Sequence, residues 1–203
     1  MRVPSRRLGR VLTLILIPTT LIITGALVTT SSYSAFSAST VDSGNSWAAG
    51  QVTLGDDDSG TAMFAASGLK PGDTGERCIA VTSSGTVPSR VELYGTGHAT
   101  TRALSDYLTI DVTQGTGGSF AGGCTGFSPA PSNSVVYSGT LAAFAASATD
   151  YGHGLPGSAA WAPSGSGSET RVFRFAYTLS SSTPNTAEGG TSTIGFTWEA
   201  QSS

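Results

Sequence analysis

Charged side chains are scarce in this chain of 203 residues, since Asp, Glu, Lys and Arg together make up only 11% of it. The good helix formers Glu, Lys and Arg are therefore rare, whereas Gly alone occurs 27 times and Ser and Thr are abundant. This composition disfavours long helices and suits short strands that are joined by tight turns. It predicts an all-β protein.

Basic residues are scarcer still beyond the first ten positions, where four of the arginines lie. Without those four, six basic residues stand against thirteen acidic ones, which is a net charge of −7. A surface with this balance and without basic clusters repels phosphate backbones. The composition therefore argues against nucleic acid as a partner.

Catalytic motifs are also absent from the sequence. It contains no H-E-x-x-H, no G-x-S-x-G and no C-x-x-C, and its two histidines, His98 and His153, lie 55 positions apart. Neither histidine has a second ligand at the short spacing that zinc sites usually show. We therefore predict no catalytic residues, no metal site and no cofactor.

Two further short patterns have simpler structural interpretations. The acidic run Asp56–Gly60 clusters oxygen ligands for weak Ca²⁺ binding, but it lacks the spacing of an EF-hand, and we expect a solvated turn. The run Gly152–Gly157 matches G-x-G-x-x-G. No strand precedes it and Pro156 would interrupt the helix that should follow, so we expect a loop.

The first 34 residues have the three-part layout of a secretory signal. Four arginines precede an apolar stretch over residues 11–28, and the small residues Ser32 and Ser34 follow it. This layout predicts export and cleavage by a signal peptidase between Ser34 and Ala35. A retained membrane anchor is the alternative, because 18 helical residues reach about 27 Å and a hydrocarbon core measures about 30 Å.

Only two cysteines occur, Cys78 and Cys124, and both follow the signal. In an oxidising exterior, two cysteines of one small domain most simply pair, so we predict a disulfide between them. Two buried free thiols are the alternative.

Residues 47–203 are expected to form one domain of short, half-buried strands. Turn residues interrupt this region at short intervals, and only two short helical connectors are expected, at Thr140–Ala148 and Arg102–Tyr107. The pattern predicts an antiparallel β-sandwich of the jelly-roll kind. Alternation of apolar and polar residues marks the strands at Val52 and Leu54, at Val91 and Leu93, and at Leu108, Ile110 and Val112.

The clearest alternation lies in two C-terminal strands, near residues 171–179 and 192–199. Turn residues at 183–185 and 189–190 lie between them, so we predict that the two strands pair as an antiparallel hairpin with a long loop. The apolar faces consist of Phe173, Phe175, Tyr177 and Leu179 in the first strand and Ile194, Phe196 and Trp198 in the second.

Flat aromatic rings stack on sugars, so the three tryptophans are candidate ligand-binding residues. Trp198 alternates with Phe196 and is expected in the core, and Trp47 belongs to the opening strand. Trp161 lies in a segment rich in Pro, Gly and Ser and is the tryptophan left free to stack on a sugar. A monomeric carbohydrate-binding module is therefore one alternative function.

Three segments have a specific order and spacing. The first is the signal junction SYSAFS at 32–37; the second runs from WAAGQVTL at 47–54 through LKPGD at 69–73 to SGTV at 84–87; the third is IGFTWEAQ at 194–201. Together they resemble the TasA and camelysin family of secreted Gram-positive surface proteins, which are exported with a SipW-type signal peptidase. The cysteine pair and the Gly-rich middle of the chain depart from that family.

The resemblance implies a jelly-roll-like sandwich, secretion and, for the best-known members, assembly into fibres of the biofilm matrix. Camelysin-type members have been classed as metallopeptidases, so a secreted metallopeptidase is a second alternative. The LKPGD segment also has a local meaning, because Pro71 presets φ for a turn, Gly72 accepts positive φ and Asp73 bonds nearby amides.

We therefore expect a secreted structural or adhesive protein of the cell surface that is not an enzyme. After cleavage, residues 35–46 form an extended segment whose first seven residues are uncharged. Such a segment docks on the open sheet edge of a neighbour by strand addition, with Phe36 and Val41 as apolar anchors. That contact propagates head to tail, so the expected partners are further copies of the chain or other matrix proteins.

Overall fold

The computed structural model describes residues 49–203. This part of the chain consists of antiparallel strands, turns and short helices, so the all-β prediction is confirmed. None of its helices is long and apolar enough to cross a membrane. The predicted signal over residues 1–34 lies outside the described residues. The strands are β1 (Leu54–Asp56), β2 (Thr74–Ser83), β3 (Ser89–Thr100), β4 (Leu108–Thr116), β5 (Ser128–Pro129), β6 (Val135–Thr140), β7 (Glu169–Leu179) and β8 (Ser192–Ser202).

Helices serve only as connectors between the strands. Two are α-helical, α1 (Leu104–Tyr107) and α2 (Leu141–Ser147), and both lie where the sequence predicted them. Thr140 caps α2, because its hydroxyl accepts a hydrogen bond from the Ala143 amide at 3.2 Å. Three short 3₁₀ turns cover Tyr151–His153, Gly157–Ala159 and Asn185–Ala187.

Six strands form the larger sheet, in the order β1, β2, β7, β4, with β5 and β6 both paired to the far side of β4. All of these pairings are antiparallel. The longest pairing joins β2 to β7 over ten residue pairs, from Thr74 with Thr178 to Ser83 with Glu169. β7 is therefore a central strand, and β1 is a short strand at one edge.

The smaller sheet contains only β3 and β8. On its other side β3 is covered by an irregular segment, residues 148–163. The Val91 amide donates to the Trp161 carbonyl at 2.8 Å, and Leu93 and Leu155 exchange two backbone hydrogen bonds of 2.9 Å. β3 is therefore bonded on both sides, whereas β8 has a strand partner on one side only within the described part of the chain.

The two sheets share one apolar core. Phe175 of β7 packs on Phe196 of β8 with ring centroids 4.6 Å apart, and Phe173 packs on Trp198 at 5.3 Å. Phe144 of α2 closes one side of the core and is fully buried. Burial of these aromatic faces removes apolar area from water and stabilises the packing of one sheet on the other. The buried core consists of Ile79, Val81, Val91, Leu93, Ile110, Val112, Val136, Leu141, Phe144, Ala148, Trp161, Phe173 and Phe175.

The predicted hairpin between the two C-terminal strands is wrong. β7 pairs with β2 and β4, and β8 pairs with β3. The loop over residues 180–191 is long enough to carry the chain from one sheet to the other. This arrangement turns the two aromatic faces toward each other, so each buries the other, whereas a hairpin would place them side by side on one surface.

The LKPGD turn has the predicted geometry. The Asp73 amide donates to the Lys70 carbonyl at 2.9 Å, and Gly72 has a φ of 93°. The Asp73 carboxylate accepts the Lys70 amide at 2.8 Å. Since an L-residue rarely adopts this φ, Gly72 lets the chain reverse just before β2 begins.

Candidate functional site

A slot between two sheet edges is the candidate functional site. Among residues 49–203, β1 ends the larger sheet and β8 has no partner on its outer side, and a cavity of about 190 Å³ lies between these two strands. The cavity is lined by Leu54, Gly55 and Asp56 of β1, by Val81 of β2, and by Phe196, Thr197 and Trp198 of β8. We call this cavity and the two strand edges beside it the slot.

The outer edge of β8 presents unpaired backbone groups. Alternate residues of a strand direct their N–H and C=O groups to opposite sides. Val91 and Leu93 bond the irregular segment on the far side of β3, so Glu92 between them faces β8 and pairs with Glu199. Trp198 therefore directs its backbone groups away from β3, as do Phe196 and Ala200. These groups have no backbone partner among residues 49–203.

The edge of β1 has the complementary arrangement. The Ser84 amide donates to the Thr53 carbonyl at 3.0 Å, so Thr53 and, two residues on, Gly55 face β2. Leu54 and Asp56 consequently direct their backbone groups into the slot. Each of the two strand edges beside the slot therefore offers donors and acceptors to an extended chain that pairs with it.

The floor of the slot is aromatic. Phe196 and Trp198 are half-buried, and both rings rest on the buried ring of Phe175, at centroid distances of 4.6 and 5.9 Å. The Trp198 indole N–H is buried and has no acceptor within the described chain. A strand in the slot would direct alternate side chains onto these rings.

Acidic groups border the slot on both sides. Burial, together with a hydrogen bond and the negative charge from Asp58, raises the pKa of Asp56 in β1. On the outer face of β8, Glu199 accepts a hydrogen bond from the Tyr94 phenol at 2.9 Å, which raises the pKa of Tyr94. These carboxylates favour an uncharged or basic segment over an acidic one.

The predicted disulfide is confirmed. Cys78 and Cys124 are bonded, with Cα atoms 5.1 Å apart. Cys78 lies on the outward face of β2, and the bond ties the Gly-rich loop 117–127 over that face. The Arg174 guanidinium lies 5.3 Å from the centroid of the Phe127 ring in this loop. The loop explains why Cys78 is fully buried although it faces away from the core.

The other predicted site residues belong to the N-terminal segment. The cleavage site at Ser34 and Ala35 and the anchors Phe36 and Val41 lie outside the described residues, as does Trp47. Their roles stay predictions.

The acidic run forms a turn in which one carboxylate has a structural role. Asp57 accepts the Ala80 amide through Oδ1 and the Phe120 amide through Oδ2, both at 2.8 Å. It thereby joins the end of β1 to β2 and to the Gly-rich loop. Among residues 49–203 no three His, Cys, Asp or Glu side chains come together as a metal group.

The interpretation of Trp161 as a free stacking surface is wrong. Trp161 is only 5% exposed and belongs to the core, because its backbone bonds to Val91 draw the segment onto the edge of β3. The Arg171 guanidinium covers its ring at 5.9 Å from the centroid. A flat ligand has no access to the face of this indole.

Sequence reasoning missed the open edge of β8, because it assigned β8 to β7 as a partner. One signal points to the true arrangement: both strands carry an aromatic face, and a twelve-residue loop at 180–191 separates them. Two such faces cover each other only when the strands lie in different sheets.

Comparison with known proteins adds no relative, since no family model matches the chain and no curated protein matches it significantly.

Proposed function

We propose that this chain is an exported, non-enzymatic structural protein of the cell surface that assembles head to tail by strand addition. In this proposal, cleavage between Ser34 and Ala35 frees residues 35–46 of one copy, which enter the slot of the next copy. The observation that carries the proposal is the slot, whose two strands leave their outer backbone groups without partners among residues 49–203.

The length of β8, which forms the longer edge of the slot, suits such a segment. β8 contains 11 residues, which span about 36 Å at about 3.3 Å per residue. The seven uncharged residues 35–41 span about 23 Å on the same scale. The segment therefore fits along β8. Its first seven side chains are uncharged, and the free α-amino group of Ala35 brings one positive charge, which the carboxylates of Asp56 and Glu199 favour.

The two predicted anchors have different positions in this arrangement. Phe36 and Val41 are five positions apart, so they lie on opposite faces of a regular strand. Only one of them reaches the aromatic floor. We assign Phe36 to the floor, because its ring is complementary to Phe196 and Trp198, and Val41 to the outer face.

Head-to-tail growth follows from the geometry of the contact. The donated segment and the slot are different surfaces of the same chain, so each added copy leaves a new open slot and the assembly does not close as a dimer. Before cleavage the apolar stretch 11–28 holds the segment at the membrane, which makes signal removal the switch for assembly.

The resemblance to the TasA and camelysin family supports this function, since fibres of the biofilm matrix are what it implies. The same proposal includes the topology of the fold, in which the two sheets form a jelly-roll-like sandwich. It also includes the location, since the mature protein is secreted to the surface of a Gram-positive cell.

The test compares a chain that begins at Ala35 with one that begins at Trp47, by electron microscopy and sedimentation at several concentrations. We expect filaments from the longer chain and monomers from the shorter one. A peptide of residues 35–46 should bind the shorter chain and stop filament growth of the longer. If both chains stay monomeric, or if both form filaments equally well, the donor-segment mechanism is wrong.

A matched pair of variants tests the face assignment. Phe36→Asn should abolish filaments, because it replaces the ring on the aromatic floor by a polar amide, whereas Ser39→Asn places the same amide on the opposite face and should leave them largely intact. A longer chain that stays monomeric and refuses the peptide would mean that the segment fills its own slot, which contradicts assembly.

A further inference from the structure

A second cavity, of about 280 Å³, lies between the larger sheet and the segment 159–162. It is separate from the slot and shares no lining residue with it. Its walls come from Gln114 of β4, from Glu169 and Arg171 of β7, from Trp161 and from the loop 130–133. This volume is near the lower end for small-molecule sites, which fits a single ring-sized ligand.

Polar residues occupy inward-facing positions at this cavity. The register pairs Val112 with Phe175 and Gln114 with Phe173, so Gln114 continues the core-facing row of β4. Arg171 lies two residues before Phe173 and continues the core-facing row of β7. Polar side chains at core positions are costly unless they have partners, so their presence points to a function.

Only one of the two polar atoms of the Gln114 side chain has a hydrogen-bond partner within the described chain. The residue is 3% exposed, and its Nε2 donates to the Asn133 carbonyl at 2.6 Å. Its Oε1 has no partner within the described chain. A buried acceptor without a donor is unfavourable. Gln114 lines the cavity, so a small shift of its side chain on binding would bring Oε1 to a ligand hydroxyl, which would supply that donor.

Arg171 is also incompletely paired. Its guanidinium rests near the Trp161 ring and forms no ion pair with residues 49–203. Glu169, two residues away, is held as a carboxylate, because hydrogen bonds from the Ser164 side chain and amide, and the charge of Arg171, lower its pKa. One positive and one negative group line the cavity, so its charge balances.

We propose that this cavity binds one unit of a neutral saccharide. An anion would meet Glu169 and a cation would meet Arg171, so a ligand without net charge is favoured. A zwitterion would also pair with both groups, and the test below includes one. Each sugar hydroxyl can both donate and accept a hydrogen bond. Hydroxyls of one sugar ring would donate to Gln114 Oε1 and to the Glu169 carboxylate, and they would accept from the Arg171 guanidinium. The site binds through hydrogen bonds inside a cavity and needs no exposed aromatic face.

This inference goes beyond assembly, since it gives the protein a ligand that the slot does not use. Its test measures saturation transfer by NMR from the full chain to glucose, galactose, mannose and N-acetylglucosamine, with glucuronate as an anionic probe and glycine as a zwitterionic probe. We expect transfer to at least one neutral sugar. Gln114→Met and Arg171→Met should each weaken binding about tenfold or more.

Gln201→Met is the matched control, because it makes the same replacement at an exposed position outside the cavity and should leave binding unchanged. Thermal melting establishes whether each variant is folded. If Gln114→Met does not fold, the binding measured for Arg171→Met decides the outcome. The proposal is overturned if no neutral sugar binds, if only glucuronate or glycine binds, or if the folded cavity variants bind the sugar as well as the wild type does.

Discussion

Phe175 of β7 and Phe196 of β8 lie with ring centroids 4.6 Å apart, although their strands belong to different sheets and share no backbone hydrogen bond. Phe175 is 1% exposed, whereas Phe196 is half-buried and lines the slot. The pair therefore joins the two layers at the place where the slot opens. Stability of the core and shape of the candidate site depend on the same contact.

Replacing either ring of this pair by Ala should lower the free energy of unfolding, and the two losses should differ. We expect Phe175→Ala to lower the free energy of unfolding by about 3 to 5 kcal/mol, because it leaves a cavity in a fully buried site. Phe196→Ala should cost less, since its ring is partly exposed. Chemical denaturation of both single variants and the double variant gives the coupling between the rings, which we expect at about 0.5 to 1.5 kcal/mol. Additive losses would contradict a direct contact.

Loss of the disulfide should destabilise the protein without changing its fold. The bond closes a loop with a sequence separation of 46, and we expect its removal to cost about 4 kcal/mol, mainly through greater freedom of the unfolded chain. The variant Cys78→Ala with Cys124→Ala avoids burying a hydroxyl at the fully buried position 78. Thiol titration of the unfolded, unreduced protein should find no free thiol; two thiols per chain would refute the bond.

Asp57 should stabilise the fold through its two backbone contacts. We expect Asp57→Ala to cost about 1 to 2 kcal/mol, because it removes two charge-assisted hydrogen bonds at a solvent-exposed position. Asp57→Asn should cost less, since it keeps one acceptor oxygen. Glu76→Ala is the control: this exposed side chain has no hydrogen bond within residues 49–203 and its loss should change stability by less than about 0.5 kcal/mol. Equal effects of Asp57→Ala and Glu76→Ala would contradict the structural role.

Alkaline stability should depend on Tyr94. The hydrogen bond to Glu199, burial and the charge of Glu199 raise the pKa of this phenol above its ordinary value of 10.0. The phenol must keep its proton to donate, so the contact stabilises the fold below about pH 10 and is lost as pH rises through the higher pKa of the folded protein.

Tyr94→Phe should therefore flatten part of the fall in stability above pH 10, and Glu199→Gln should bring the Tyr94 titration back toward its ordinary range. Ultraviolet absorbance of the ionised phenols follows this titration. Tyr137 and Tyr151, whose pKa values burial also raises, continue to titrate late in both variants. A difference titration between wild type and Tyr94→Phe that places the Tyr94 phenol at its ordinary pKa would count against the Tyr94–Glu199 contact.

Local features of this protein could be predicted from its sequence. The helix that Thr140 caps, the turn at Gly72 and the pairing of Cys78 with Cys124 were all predicted correctly. Each rests on interactions within a few residues, on the preferred φ of Gly and Pro, or on there being only two cysteines to pair. The alternation that marks β3, β4 and β7 is local in the same sense, since it records which side chains share a face.

Which strands pair, and which side chains are buried between them, became clear only from the tertiary structure. The alternation of Phe196 and Trp198 says that one face of β8 is buried, but it is compatible with pairing to β7 or with packing across from it. Trp161 looks like a loop residue locally, and it is buried because β3 offers its backbone edge at Val91. Strand pairing and burial depend on contacts far apart in the chain, and the free energy that selects among them comes from covering two aromatic faces at once. The open edge of β8, and with it the slot, therefore becomes visible only when both sheets are in place.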